Sequence, residues 1–405
     1  MITRRMLIKQ LSVLPLVGTL FNKETLIDND TQARVLRRDY FEELGVRTFI
    51  NAAGTYTALT GSLMEPEVIE AIKYASHEYV VLDELQDKVG ERIASLLHCE
   101  AATVTSGAAS AITLGLAGIL TGMDEEKIIQ LPDLTGMKSE VIIQKKHRIT
   151  YDHAIRNCGV RLVEVETLKD LEEAISDKTA MLWFLNANNY VGNIRDSEFV
   201  ETGKKYGIPT FNDCAADVPP VENLWKYTDM GFDLVTFSGG KGMRGPQSAG
   251  LLLGKKEYIQ AARRHVPPRG NTIGRGMKVN KEEVLGMLVA LEKYLARDHE
   301  ADWRNWESQI KLISDSASSV KGVSTEIHVP DVANHVPSLR IRWDREKIKI
   351  TTEEARENLR KGNPSIETVG GEDSVDITTW MMRPGQERIV ARRVREILEE
   401  ARTIT

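Results

Sequence analysis

Cysteine is scarce. Three residues, Cys99, Cys158 and Cys214, stand in 405, with no CxxC spacing and no histidine cluster nearby. That pattern suggests neither a disulfide framework nor a zinc site, and it leaves each thiol as a small buried hydrophobe. An excess of positive charge is lacking too: 53 lysines and arginines face 59 acids, a formal net charge of −6. Such a balance argues against a nucleic-acid surface or an anionic-membrane surface. Internal repeats, low-complexity segments and long linkers of disordered composition are absent. The uncharged N-terminal stretch "LSVLPLVGTLF" (11–21) is too short to span a bilayer as an ordinary helix.

What remains is the composition of an ordinary soluble globular protein, 41% hydrophobic and 28% charged. The length suits two domains, or one large α/β domain with an appendage. Thr3-Arg4-Arg5-Met6-Leu7-Ile8-Lys9, ahead of the short apolar run, resembles a twin-arginine export signal. On that reading residues 1–26 direct a periplasmic or otherwise exported protein, which folds before crossing the membrane. No A-x-A site comes after it and no lipobox cysteine is present. The plain alternative is therefore an amphipathic N-terminal helix on a cytoplasmic protein.

Short β-branched or apolar runs recur from residue 101 onward: "AATVT" (101–105), "EVIIQ" (140–144), "RLVEV" (161–165), "AMLWFL" (180–185), "IPTFN" (208–212), "DLVTFS" (233–238) and "AGLLLG" (249–254). Interleaved with helical stretches, these runs predict a mostly parallel seven-stranded sheet wrapped by helices. Residues 66–98 read as two helices, and Asn280 as the N-cap of a long helix leaving the large domain. Beyond residue 300 the elements shorten: a helix at 301–320, strand-like "VSTEIHV" and "SLRIRWD", a helix at 352–361, the strand "SVDITTW" and a closing helix. The expected organisation is an N-terminal segment and large domain over 27–298, then a small α+β domain over 299–405.

In an open α/β sheet the ligand crevice lies beyond the C-terminal ends of the strands, so the loops there carry the functional information. After the first strand, Thr105-Ser106-Gly107-Ala108-Ala109-Ser110 runs straight into the apolar helical stretch "AITLGLAGIL". Free N–H groups at such a helix start, with the Ser106 and Ser110 hydroxyls, suit a phosphate group; small residues here also read as no more than a tight turn. Asp213 comes directly after "IPTFN", where a helix cap or a surface pair is the plain reading. The next strand ends at Ser238 and delivers Lys241 on a loop with Gly239, Gly240, Gly242 and Gly245. A phosphate cradle, an acid for a ring nitrogen and an amine for a Schiff base, in that order, are what pyridoxal 5'-phosphate requires. Glycines beside Lys241 let the backbone approach a flat ring. Desolvation and a neighbouring cation such as Arg244 would favour the neutral amine.

With these residues in view, the chain resembles a fold-type I pyridoxal-phosphate enzyme. Within that superfamily it is similar to the relatives of L-seryl-tRNA(Sec) selenium transferase, a group that includes D-glucosaminate-6-phosphate ammonia-lyase. The resemblance is carried by "FINAAGTYTALTGSLMEPEVIEAI" (49–72), "TSGAASAITLGLAG" (105–118), "YDHAIRNCGVRLVEVE" (151–166), "FNDCAAD" (211–217), "TFSGGKGMRGPQSAGLLLG" (236–254), "RGMKVNKEEVLGMLVALE" (275–292) and "WMMRPGQERIVARRVREIL" (380–398). It implies Lys241 as the Schiff-base lysine, Asp213 as partner of the ring nitrogen, and Ser106, Gly107 and Ala108 as phosphate contacts, with Ser238 beside the cofactor. His147, Tyr151 and His153 are candidates to stack on the ring, the Tyr151–His153 turn being favoured. Arg383 lies where such enzymes place a carboxylate clamp, a task that suits the guanidinium fork. Arg275 and Lys278 are candidates for a second anionic group or for phosphate contacts across a dimer interface. A homodimer or larger homo-oligomer is the family expectation.

The departures from the transferase also inform. The chain ahead of "FINAAGTYT" is expected to be too short for that enzyme's separate tRNA-binding domain, and the acidic balance suits a small-molecule substrate better than tRNA. The expected reaction is that of a lyase on an amino acid or amino-sugar acid. Lys241 removes the Cα proton and a β-substituent such as hydroxyl leaves, giving a 2-oxo acid and ammonia. Tyr56, His147 or His153 would supply the acid for the leaving group. An amino-acid racemase or epimerase is the alternative, ahead of a transaminase or an exported binding protein without turnover.

Overall fold

The computed structural model describes residues 38–402. The twin-arginine reading of residues 3–9 and the 1–26 segment lie outside the described residues. The chain divides into two units, Met1–Thr48 and Phe49–Thr405. In the described part of the first, Asp39 caps the short helix Tyr40–Glu43 by accepting from the N–H groups of Phe41 and Glu42.

The second unit carries the sheets. Its strands, in chain order, are β1 (Phe49–Asn51), β2 (Ala101–Thr105), β3 (Glu140–Gln144), β4 (Arg161–Val165), β5 (Thr179–Leu185), β6 (Thr210–Asp213), β7 (Leu234–Ser238) and β8 (Gly250–Gly254). Beyond these come β9 (Val323–His328), β10 (Ser338–Trp343), β11 (Ser365–Glu367) and β12 (Val375–Thr378). The main sheet has seven strands in the order β2-β8-β7-β6-β5-β3-β4. All neighbours are parallel except β8, which runs antiparallel to both β2 and β7.

Each of the seven apolar runs is a strand of this sheet; six are buried almost throughout, while the edge strand β4 leaves Arg161 and Glu164 exposed. β5 is buried from end to end, as expected of a central strand covered by helices on two sides. Successive side chains go to opposite cores: Ile142, Leu182, Phe184, Val235 and Phe237 join one, while Val141, Ile143, Met181, Trp183 and Leu234 join the other. The helices Leu82–Leu97 and Lys281–Leu295 pack on the first face. The helices Ala108–Thr121 and Lys256–Arg263 pack on the second. Asn280 caps the long helix as its sequence suggests, in a reciprocal capping box with Glu283.

The C-terminal elements form a three-stranded antiparallel sheet, β12-β10-β9. The helices His299–Ser318, Thr352–Lys361 and Gln386–Glu400 contribute to the core beside it. One pairing goes beyond the sequence reading: β1 aligns parallel with β11, with Ile50 opposite Ile366, and Ile50 and Ala52 join that C-terminal core. "FIN" thus belongs structurally with residues far along the chain. A parallel pair leaves no hairpin signal between its strands.

The register of the main sheet gathers the strand ends that matter for chemistry. Thr105 and Ser238 both pair with Gly250, and Asp213 pairs with Leu185 on one side and Thr236 on the other. The C-terminal ends of β2, β5, β6 and β7 therefore meet along one edge of the sheet. Here the loop after each strand can face a common crevice.

Candidate active site

Gly107 opens this crevice. It is the N-cap of the helix Ala108–Thr121, with φ +86 and no side-chain cap on the first turn. A positive φ of this size suits glycine and leaves the first helical N–H groups without a side-chain acceptor. A Cβ on Gly250 would come within 2.6 Å of the Gly107 carbonyl carbon and 2.7 Å of Ala108 N. Glycine at 250 is what lets the turn lie against β8. Ser106 donates from Oγ to Ser110 Oγ at 2.9 Å, and Ser110 donates back to the Ser106 carbonyl at 2.9 Å. The hydroxyl pair borders an open, positively polarised helix start.

Asp213, at the end of β6, is buried. Its Oδ1 accepts the Ala215 N–H at 3.1 Å. Burial raises its pKa, against the pull of that hydrogen bond and of the Lys241 charge. Lys241 comes after β7 on a loop held by backbone hydrogen bonds, from Gly239 N to Ala249 O at 2.9 Å and from Gly245 N to Gly239 O at 2.9 Å. The segment after β1 covers this loop: Ser62 N donates to Gly240 O at 3.0 Å, and Gln247 Nε2 to Thr57 O at 3.2 Å. Between them lies a cavity of about 330 Å³ lined by Thr55, Thr57, Ser238, Lys241, Gln247 and Ser248, together with Gly61 and Gly240.

Burial lowers the Lys241 pKa, and the charges of Asp213 and Asp217 oppose that shift. Arg244, the cation expected to assist, is committed elsewhere and does not contribute. Its guanidinium donates to Glu65 Oε1 at 2.9 Å and to the Trp380 carbonyl at 2.9 Å. Desolvation alone therefore drives the amine toward its neutral form.

The other sequence candidates are spread more widely. Tyr56 sits between the cavity residues Thr55 and Thr57, with its side chain half exposed. Tyr151 and His153 are exposed and line no part of the cavity, and His153 Nδ1 lies 3.2 Å from Arg156 Nη2. His147 turns into the core. Its Nδ1 accepts the Leu185 N–H at 3.1 Å, its Nε2 lies 3.2 Å from the Asn188 carbonyl, and its ring meets Phe184 edge-on at 4.6 Å. With both nitrogens tied to the fold it is no free acid. Arg275, Lys278 and Arg383 are all exposed and lie outside the cavity lining.

Sequence reasoning assigns no role to Thr55, Thr57, Gln247 or Ser248, all of which line the cavity, nor to Asp217, a second buried acid beside Lys241. A signal for Asp217 is present in "DCAAD": two acids four positions apart directly after a strand. The cavity-lining polar residues are ordinary loop residues and announce nothing by type.

The residues present fit pyridoxal phosphate: an uncapped helix start for the phosphate, a buried carboxyl for the ring nitrogen, and a half-buried lysine facing a cavity. Solved structures share the fold. A solved structure described as D-glucosaminate-6-phosphate ammonia-lyase superimposes with a TM-score of 0.79 at 27% identity, covering 90% of this chain and 99% of that one. A serine palmitoyltransferase from S. paucimobilis, solved with bound PLP, shares the fold alone, at 13% identity and a TM-score of 0.54 over 86% of this chain and 87% of that one. The fold and the site thus define a pyridoxal-phosphate enzyme of fold type I.

The family model described as "SelA: L-seryl-tRNA selenium transferase" matches residues 49–330, and the chain belongs to that family. Among curated relatives, the D-glucosaminate-6-phosphate ammonia lyase of Salmonella typhimurium is 29% identical, over 89% of this chain and 98% of that protein.

The two buried histidines near the sheet predict an acid limit on stability. His147 and His265, each pushed down to about 4 by burial, stay neutral in the folded protein where an unfolded histidine has taken a proton. The stability this gives is fully present above the unfolded value near 6.5 and is lost as the pH falls toward 4, on the order of 3 kcal/mol for each ring at most. Urea unfolding at pH 7 and pH 4.5 checks this. His265→Gln is expected to lose less stability between the two pH values than the parent; an equal loss contradicts the assignment.

Proposed function

We propose that this protein is a pyridoxal-phosphate-dependent ammonia-lyase acting on an amino-sugar acid or a related hydroxylated amino acid. The observation that carries the reading is the half-buried, partly desolvated Lys241 facing the cavity, with the buried carboxyl of Asp213 close enough for their charges to interact. The likeness to the Salmonella ammonia lyase, over nearly all of that protein's length, supports the reaction class.

When bound, pyridoxal phosphate supplies an electron sink for the pair released as a Cα–H bond breaks. The protein's own groups do the rest. N–H groups of the Ser106–Ala108 turn hold the phosphate, and Asp213 keeps a proton on the ring nitrogen, the state in which the sink is strongest. Lys241 Nζ, neutral because it is desolvated, takes the Cα proton. A hydroxyl on the adjacent carbon then leaves with a proton, for which Tyr56, beside the cavity, is the best placed of the three candidate acids. Water then hydrolyses the resulting enamine, by way of its imine, releasing ammonia and leaving a 2-oxo acid. Arg383, with no ion pair among the described residues, is available to fork onto the substrate carboxylate. Arg275 and Lys278 remain available for a second anionic group, such as a sugar phosphate.

Incubation with D-glucosaminate 6-phosphate and with a panel of D- and L-amino acids tests the reaction. Release of ammonia together with a 2-oxo acid is expected, abolished in Lys241→Ala along with the cofactor absorbance. Exchange of the Cα proton without net product would instead mark a racemase and overturn the lyase reading.

The working unit is proposed to be a homodimer. Tyr74, Tyr79 and Val81 stand exposed in the segment beyond the cavity residues Thr55–Gly61, and clusters of exposed large apolar side chains mark interaction surfaces. Light scattering is expected to give twice the 45.4 kDa of the chain; a mass equal to one chain at micromolar concentration contradicts this.

A further inference from the structure

The turn after β6 ends in a carboxyl for which the proposed lyase reaction has no use. Asp217 is 1% exposed. Its Oδ1 accepts the Ala333 N–H at 3.0 Å, while its Oδ2, equally buried, has no hydrogen-bond partner among the described residues. Asn334 N donates to the neighbouring Ala216 carbonyl at 2.8 Å. The two donors sit at φ +52 and +49, a left-handed conformation rare for residues with a side chain. Such strain persists where the surroundings fix it, and it gathers at functional sites. The segment from the C-terminal part of the chain is thus pinned onto the turn that presents Asp213.

The turn abuts the lysine loop: a Cβ on Gly242, next to Lys241, would collide with the carbonyl oxygen of Val218, next to Asp217, and Asp213, Asp217 and Lys241 act on one another through their charges. We propose that Asp217 is a positioning residue for proton transfer at Lys241, holding the Asp213 turn in register through Ala333 and setting, by its own charge, the pH at which the Lys241 nitrogen gives up its proton. Two carboxylates beside one amine cannot all ionise cheaply in a dry site, so the second acid keeps its proton until the pH rises. Burial, opposed by the nearby Asn186 side chain and reinforced by the Asp213 charge, raises the Asp217 pKa to about 7. The other titratable groups close to this turn are Cys214 and Tyr227, both pushed up by burial, with Asp196 and Lys226 nearby. Below neutrality the site holds one negative charge from the pair. Above it the second charge appears and stabilises the proton on Lys241.

The inference rests on the reading of Lys241 as the cofactor's attachment point, and its test separates the two. Protein reconstituted with pyridoxal 5'-phosphate is titrated from pH 5 to pH 10 by absorbance of the Lys241-bound cofactor. Absence of that band fails the attachment reading itself. With the band present, Asp217→Asn keeps an oxygen for the Ala333 N–H but removes the charge. The proton is then expected to leave the Lys241 nitrogen about half a unit to one unit lower in pH than in the parent. A purely structural role for Asp217 predicts an unchanged titration, and that result overturns the proposal. The parent alone gives a second reading should the variant not fold. Its titration is expected to carry an inflection near neutrality in addition to that of Lys241, and a curve fitted by one ionisation contradicts the proposal.

Discussion

The chemistry proposed for this protein depends on keeping one lysine amine largely out of water beside two carboxyl groups. Lys241 would be an ordinary surface cation on a glycine-rich loop were it not covered by the segment after β1 and faced by Asp213 and Asp217. Burial and opposite charge push its proton affinity in opposite directions. The cover over the loop and the charge of the two acids together set the balance. The loop is fastened from several sides, by Ser62 on Gly240, by Gln247 on Thr57, and by Arg244 reaching both Glu65 and the Trp380 carbonyl. A charge expected from sequence to act on the lysine acts as a strut.

The sheet makes this possible by its order. Insertion of the antiparallel β8 between β2 and β7 brings the ends of two strands far apart in sequence to flank the same residue, Gly250. The helix start at Gly107 and the loop carrying Lys241 thereby become neighbours, and parallel β6 adds Asp213 from the next position. An uncapped helix start, an acid and an amine from three distant stretches of chain converge because the strand ends converge. The pinning of Ala333 and Asn334 onto the Asp213 turn ties the C-terminal elements to the same edge.

Much of this is legible in the residues. Six of the seven strands of the main sheet are short runs that only a doubly covered sheet would bury, the exception being the edge strand β4, and the order turn, acid, lysine points to one cofactor ahead of any geometry. The pairing of β1 with β11 is not legible, because parallel strands so far apart carry no turn signal between them. Nor is the fate of His147, whose two ring nitrogens are used by Leu185 and Asn188. A histidine in a loop looks the same in sequence whether it faces a cavity or the core. Asp217 is hidden for the opposite reason: its importance comes from burial and from company, neither of which a single letter records.

Desolvation of Lys241 is the claim on which the rest stands, and the cofactor-free protein tests it. The rate at which the Lys241 amine is acylated, followed against pH by mass spectrometry of the peptide that carries it, reports its proton affinity directly. A midpoint clearly below the ordinary lysine value of 10.5 is expected. A midpoint equal to that of the solvent-exposed lysines in the same samples would contradict the account.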